Sequence, residues 1–202
     1  MRESILVLHK SRLKELPPSI EELKNSFNAY GLWMERSFAE NDDNYLQIIP
    51  YTVVRQHNKI FCYQRLSKSG EARLHGKLSI GVGGHVDRND WIAAEMLSLW
   101  KAVEDSAARE VCEELQVSIS ELSKITFTDS VIYTPINPVG RVHIGVCCIV
   151  DIQTEKEVKI REIDKLEGSF LTLSELSELE LDAFEDWSQI TISNLFKEPI
   201  DD

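Results

Sequence analysis

Apolar and polar residues along the chain follow two rhythms, one suited to strands and one to helices. Residues 4–9 read as a strand. Pro17-Pro18-Ser19 breaks the chain, and Ser19 with Glu22 three residues later resembles a capping box opening a helix. Residues 48–56 and 59–66 are rich in Val, Ile, Tyr and Phe, and His57-Asn58 between them predicts a tight hairpin. An extended piece over 77–86 runs into Gly81-Val82-Gly83-Gly84. Residues 91–115 hold no proline or glycine and read as helix. Strands are expected over 125–133 and 141–151, around a proline-bearing loop at 134–140. The longest apolar run, residues 144–150, suits a buried strand. A short strand over 158–162 follows, then helices over 173–179 and 182–197. Strands and helices intermix and hairpins are present. The expectation is therefore an α/β (α+β) fold with a mixed β-sheet packed by helices.

The acidic, polar stretch Glu40-Asn41-Asp42-Asp43-Asn44 reads as a loop. It divides an amino-terminal extension, 1–44, from a main domain, 45–202. No internal repeat or low-complexity segment interrupts either part. A chain of 202 residues buries enough surface to fold without a metal or disulfide staple. Hydrophobic content of 43% with 28% charged residues excludes wholesale disorder.

Thirty-four acids against 22 bases leave a net charge of −12. A nucleic-acid polymer or an anionic membrane surface would be repelled by that balance. A small phosphorylated substrate arriving with a cation would not. No apolar run approaches the ~20 residues of a membrane span, and residues 1–10 are too short and mixed for a secretion signal. Cys62, Cys112, Cys147 and Cys148 lack zinc-site spacing. Reduced, buried thiols in a cytoplasmic protein are the expectation.

The segment that carries chemistry is Arg109-Glu110-Val111-Cys112-Glu113-Glu114-Leu115. On a helix with Glu110 at zero, Glu113 falls near about −60° and Glu114 near about +40°, so three carboxylates share one face. Ala108, Val111, Cys112 and Leu115 fall together on another, suited to a core. Like charges one turn apart cost ~0.2–0.5 kcal/mol, and acids near a helix carboxyl end oppose its dipole. A divalent cation would reverse both penalties, and hard oxygen donors suit magnesium or manganese. A solvated acidic face on an acidic protein is the alternative. Upstream, Gly83-Gly84 ends a strand where a backbone carbonyl or amide can approach a ligand closely.

Strand, Gly-Gly, helix and Arg-Glu-x-x-Glu-Glu together resemble the Nudix box, G-x5-E-x7-R-E-U-x-E-E-x-G-U, where U is a bulky apolar residue. Gly84, Arg109, Glu110, Val111, Glu113, Glu114 and Val117 match. Asp90 stands where glutamate is usual, and Gln116 replaces the last glycine. The spacing from Asp90 to Arg109 is 19 positions where the pattern has 8, an insertion of 11 residues. It reads equally as added helical turns or as a loop. Residues 166–176 resemble the terminal strand-to-helix segment of many Nudix domains. The likeness covers most of 47–197 and points to a divergent branch of MutT-like Nudix phosphoesterases.

The resemblance implies an α/β/α sandwich with a mixed sheet and a magnesium- or manganese-dependent hydrolase. Water would attack phosphorus in the diphosphate of a nucleoside diphosphate linked to another moiety, or a related organic diphosphate. It makes Glu110, Glu113 and Glu114 metal ligands together with the Gly83 backbone. It makes Arg109 the residue that orients the acidic cluster. It sets Gly83, Gly84 and His85 beside the substrate. Asp90 is the expected partner of Arg109, with Glu95, Glu104 or Asp105 as substitutes across the insertion. Glu162 is a candidate general base, and a plain surface glutamate is the alternative. The hairpin and the tryptophan-bearing insertion are candidate surfaces for a homodimer. The competing function is a Nudix-fold module that binds a nucleotide without cleaving it, suggested by Gln116 and the stretched spacer.

Overall fold

The computed structural model describes residues 3–66, 76–161 and 163–195. Its first strand, β1 (Ser4–His9), has no polar face: Ile5, Leu6, Val7 and Leu8 are all buried. Alternate residues therefore feed two clusters. Leu6 and Leu8 pack with Leu23, Phe27, Trp100 and Val103, while Ile5 and Val7 pack with Ala39. β1 pairs antiparallel with β2 (Leu32–Glu35) on one side, Val7 opposite Leu32. On the other it pairs with β3 (Tyr45–Gln56), Val7 opposite Gln47. Residues ahead of 45 thus supply a strand to the same sheet as β3.

The chain divides into two compact units. One comprises described residues of Met1–Tyr51, Gly83–Arg109 and Phe127–Cys148; the other, those of Thr52–Val82, Glu110–Thr126 and Ile149–Asp202. The first holds β1, β2, the amino end of β3, and helices α1 (Ile20–Tyr30), α2 (Arg36–Ala39) and α3 (Arg88–Ala93). It also holds most of α4 (Leu99–Glu114) and, further along, β7 (Thr126–Ile132) and α5 (Pro138–Val142). In the second, the carboxyl end of β3 turns through His57 and Asn58 into β4 (Lys59–Arg65), with Arg55 opposite Ile60. Both turn residues are left-handed, φ 50° and 59°, the backbone a two-residue hairpin needs. β4 pairs with β5 (Leu78–Ser79) and, along its whole length, with β9 (Leu166–Thr172). The strand path is completed by β6 (Gly81–Gly83) on β3 and by β8 (His143–Asp151), which pairs with β3 and β7. α6 (Leu173–Ser177) and α7 (Asp186–Leu195) close the described chain. The fold is α+β with a mixed β-sheet, as the sequence pattern predicts.

Several expectations need correction. The helix expected over 91–115 is two helices. α3 stops at Ala93, and Glu95 and Met96 take left-handed φ values of 52° and 55° before α4 begins at Leu99. The insertion therefore combines helical residues with a looped break at 94–98, and is not one continuous helix. The capping box at Ser19 is half made: Ser19 Oγ accepts from the Glu22 amide at 3.2 Å, but the Glu22 carboxylate accepts from the Lys14 amide instead. Residues 158–161 form no strand, only a bridge from Ile160 to Leu115. The loop expected at 134–140 holds the start of α5, with Asn137 capping it through the Gly140 amide. The last helix begins at Asp186, four residues later than expected. β2 and α2 were not foreseen. Glu162 and residues 196–197 lie outside the described residues.

Candidate active site

In the first unit, β6 brings Gly83 against β3. A side chain at Gly83 would place its Cβ 2.9 Å from the Pro50 carbonyl oxygen, so only glycine lets these backbones approach. The chain then passes through Gly84 and His85 to α3, which Asp87 and Asp90 open with a full capping box. Asp90 is 3% exposed and carries a second duty. Arg109 Nε donates to its Oδ1 at 2.7 Å and Arg109 Nη2 to its Oδ2 at 3.1 Å. The fork-on-carboxylate geometry is the strong, oriented form of an ion pair. Arg109 Nη2 also donates to the His85 carbonyl at 3.0 Å and to Ser106 Oγ at 3.1 Å. Asp90 is thus the acid that Arg109 selects despite the insertion. Glu104 and Asp105 pair with Lys101 instead.

The His85 side chain belongs to a polar cluster that sequence reasoning missed. His143 Nδ1 donates to the Val139 carbonyl at 2.7 Å, so its Nε2 is an acceptor when the ring is neutral. His85 Nε2 lies 3.3 Å from that atom and 2.8 Å from Gln47 Oε1. One proton on His85 Nε2 satisfies both. His85 is therefore the Nε2–H tautomer, and Gln47 is oriented with its oxygen toward it. Burial first, and then the charges of Arg36 and His143, push the His85 pKa down to about 3. His85 acts as a neutral donor, and the same residue's carbonyl holds Arg109.

The second unit contains the acidic turn of α4. Val111 and Leu115 are fully buried among Val54, Phe61, Tyr63 and Leu166. That anchor leaves Glu113 exposed, with Glu110 and Glu114 half-buried. The helix ends against residues 159–161. The Arg161 amide donates to the Glu114 carbonyl and the Gln116 amide to the Lys159 carbonyl, each at 2.8 Å. Arg161 Nε donates to the Cys112 carbonyl at 3.2 Å. A cation on the last carbonyls offsets the dipole cost that three nearby acids impose. Gln116 also has its explanation: its φ is not left-handed, so glycine is not required there. Its side chain instead donates to the Ile160 carbonyl at 3.3 Å. Sequence pattern gave no sign of Arg161 as a cap, although a cation was the residue type to look for.

Beside this turn stands Tyr63, fully buried, its hydroxyl donating to the Gly81 carbonyl at 2.9 Å and accepting from Arg65 Nη2 at 3.2 Å. Burial pushes its pKa up to about 12; Arg65 and Ser79 oppose the rise, while Glu185 and Glu114 add to it. Tyr63 and Arg65 lie on β4 and Glu185 precedes α7, too far apart in sequence for any spacing rule to join them.

As they stand, no three His, Cys, Asp or Glu side chains among the described residues are arranged to hold a metal ion. In kind, the donors fit one. Glu110, Glu113 and Glu114 sit at i, i+3 and i+4 on a single helix, and carboxylate oxygens are the donors magnesium and manganese prefer.

No family model matches the chain. Protein YmaB of Bacillus subtilis (strain 168) is 35% identical over 165 residues, 80% of this chain and 77% of YmaB. Among solved structures, Tm1382, a proposed Nudix hydrolase, is 27% identical with a TM-score of 0.77, covering 96% of this chain and 99% of its own. The NUDIX domain of Shewanella oneidensis NrtR, solved with ADP ribose, shares the fold alone: TM-score 0.52 and 12% identity over 75% of this chain and 87% of that one. With the glycine turn, the Asp90–Arg109 fork and the glutamate-bearing helix already in the register of the box, these likenesses settle the family: the chain belongs to the Nudix hydrolase superfamily.

Proposed function

We propose that the protein is a magnesium- or manganese-dependent hydrolase that cleaves the diphosphate of a nucleoside diphosphate linked to another moiety, or of a related organic diphosphate. The observation that carries this reading is the bidentate Asp90–Arg109 pair with the His85 carbonyl. It stands one residue before Glu110, and this supports reading the three glutamates that follow in the register of the box. Glu110, Glu113 and Glu114 are the proposed ligands, with the Gly83 backbone as a further oxygen. Gly83, Gly84 and His85 are the proposed substrate contacts. The bound cation would neutralise phosphate oxygens and lower the pKa of a coordinated water. The chain's own part is to hold the carboxylates in place and to keep His85 neutral, its one N–H committed to Gln47 and His143.

In the same proposal, 45–202 is the Nudix domain and 1–44 its extension. The reaction belongs in the cytoplasm, where all four free cysteines stay reduced. Among the described residues, no helix is long and apolar enough to cross a membrane. The binding-without-cleavage alternative drew on Gln116 and the long spacer. Neither favours it, since Gln116 fits its backbone and the spacer loops out without disturbing Asp90 and Arg109.

The test is turnover of a panel of such diphosphates with magnesium or manganese. We expect release of phosphate or a nucleoside monophosphate, abolition by chelator, and a loss of at least about 100-fold in kcat for Glu113→Gln and Glu114→Gln, roughly 2.7 kcal/mol of barrier. Full activity in both variants would remove the ligand assignment.

A further inference from the structure

A separate cleft of about 470 Å3 opens in the first unit, where the 3-10 turn Lys10–Arg12 meets the end of α1 and the start of β2. Its lining includes His9, Ser11, Arg12, Tyr30, Gly31 and Tyr45. None of these residues belongs to the box.

Three features give it a chemical character. First, Arg12 lies with its guanidinium carbon 4.5 Å from the centre of the Tyr30 ring. No carboxylate among the described residues pairs with it, whereas Arg36, Arg55, Arg109 and Arg141 each face one. In a chain with 34 acids against 22 bases, an exposed arginine without an acid is a site left for another anion. Lys10 and Lys14, its neighbours in sequence, add positive charge to the same short stretch. Second, His9 Nδ1 accepts from the Ser11 amide at 3.2 Å, so the neutral ring carries its proton on Nε2 and offers it as a donor. The ring stands edge-on to Tyr45, centroids 5.1 Å apart at 86°. Third, the floor is fixed. A Cβ at Gly31 would lie 2.6 Å from the Phe27 carbonyl oxygen and 2.7 Å from Leu99 Cδ1, so the backbone there is pressed onto the core. Two tyrosines as walls, an arginine fork and a histidine donor make a site for a planar ring that carries an anionic group.

We propose that this cleft binds a nucleoside monophosphate, with the base against Tyr30 and Tyr45 and the phosphate on Arg12 and His9, which Ser11 orients through His9 Nδ1. It is a second site, built from residues outside the proposed active centre. Aromatic stacking supplies about 1–3 kcal/mol per base, and the guanidinium fork supplies orientation for the phosphate.

Calorimetric titration of the full chain in chelator separates the two sites, because the proposed active centre is then without its cation. AMP is the probe, with adenosine and inorganic phosphate as its two halves. The expected result is saturable binding of AMP, weaker by at least about tenfold (~1.4 kcal/mol) for either half. The same loss is expected in Arg12→Gln and Tyr30→Ala. Arg12→Lys, which keeps charge but not the fork, should fall between. Glu113→Gln should bind AMP as the parent does, so failure of the hydrolase reading leaves this result standing. Circular dichroism of each variant confirms that it is folded. No saturable AMP binding in the millimolar range, or binding unchanged in both Arg12→Gln and Tyr30→Ala, would overturn the proposal.

Discussion

At the scale of single residues, Asp90 does two jobs with one carboxylate: it caps α3 and holds Arg109. Both interactions are buried enough that removing the charge strands its partner. Replacing Asp90 with Asn is expected to destabilise the fold by about 3 kcal/mol, read from urea unfolding. Arg109→Lys should not escape the loss, because an ammonium cannot span both oxygens and the His85 carbonyl together. A loss below about 1 kcal/mol for both variants would show that the pair is screened like a surface one. This pair was legible from the box register alone, since pattern fixed which acid and which arginine to compare. Gln47, His143, Tyr63 and Arg161 were not. Each reaches its partner across strands or from a segment tens of residues away, and one sequence contains no trace of such pairings.

At the scale of elements, local chemistry marked what it could. His57-Asn58 predicted a hairpin because both residues tolerate a left-handed backbone, and both adopt it. The runs behind β3, β4 and β8 are apolar enough to announce buried strands. β2 escaped because four half-exposed residues show no alternation, and its partner β1 alone defines it. α5 was signalled by Asn137-Pro138, a cap followed by proline at the first helical position, yet the prolines and glycine there read as loop. The break between α3 and α4 was hidden for a different reason. Neither Glu95 nor Met96 is a residue type that favours φ near 52–55°. That conformation costs about 1 kcal/mol for a side-chain-bearing residue, which glycine avoids. Glycine's greater loss of chain entropy offsets part of that gain, so Met96→Gly is expected to raise stability by at most about 0.5 kcal/mol in chemical denaturation. Met96 is 58% exposed, so little packing is lost with it. A net loss instead would mean that the reversal is held by the Met96 side chain.

At the scale of the whole molecule, acid sensitivity should trace back to His85. Its folded pKa of about 3 lies below the ordinary 6.5, so the unfolded chain takes up the proton first. The associated stability is complete above about pH 6.5 and falls as pH drops toward 3, by about 1.4 kcal/mol per unit. In chelator, His85→Gln is expected to reduce the fall between pH 6.5 and 5 by about 2 kcal/mol. An unaltered slope would mean that the ring is protonated in place. The Asp90–Arg109 clasp has one more consequence. It joins the two ends of the spacer independently of what lies between, and the tip at Glu95, Met96 and Leu97 is solvent-facing. A fluorophore or an affinity tag spliced after Glu95 would ride outside the fold, giving the protein a reporter at a position the Asp90–Arg109 pair does not feel.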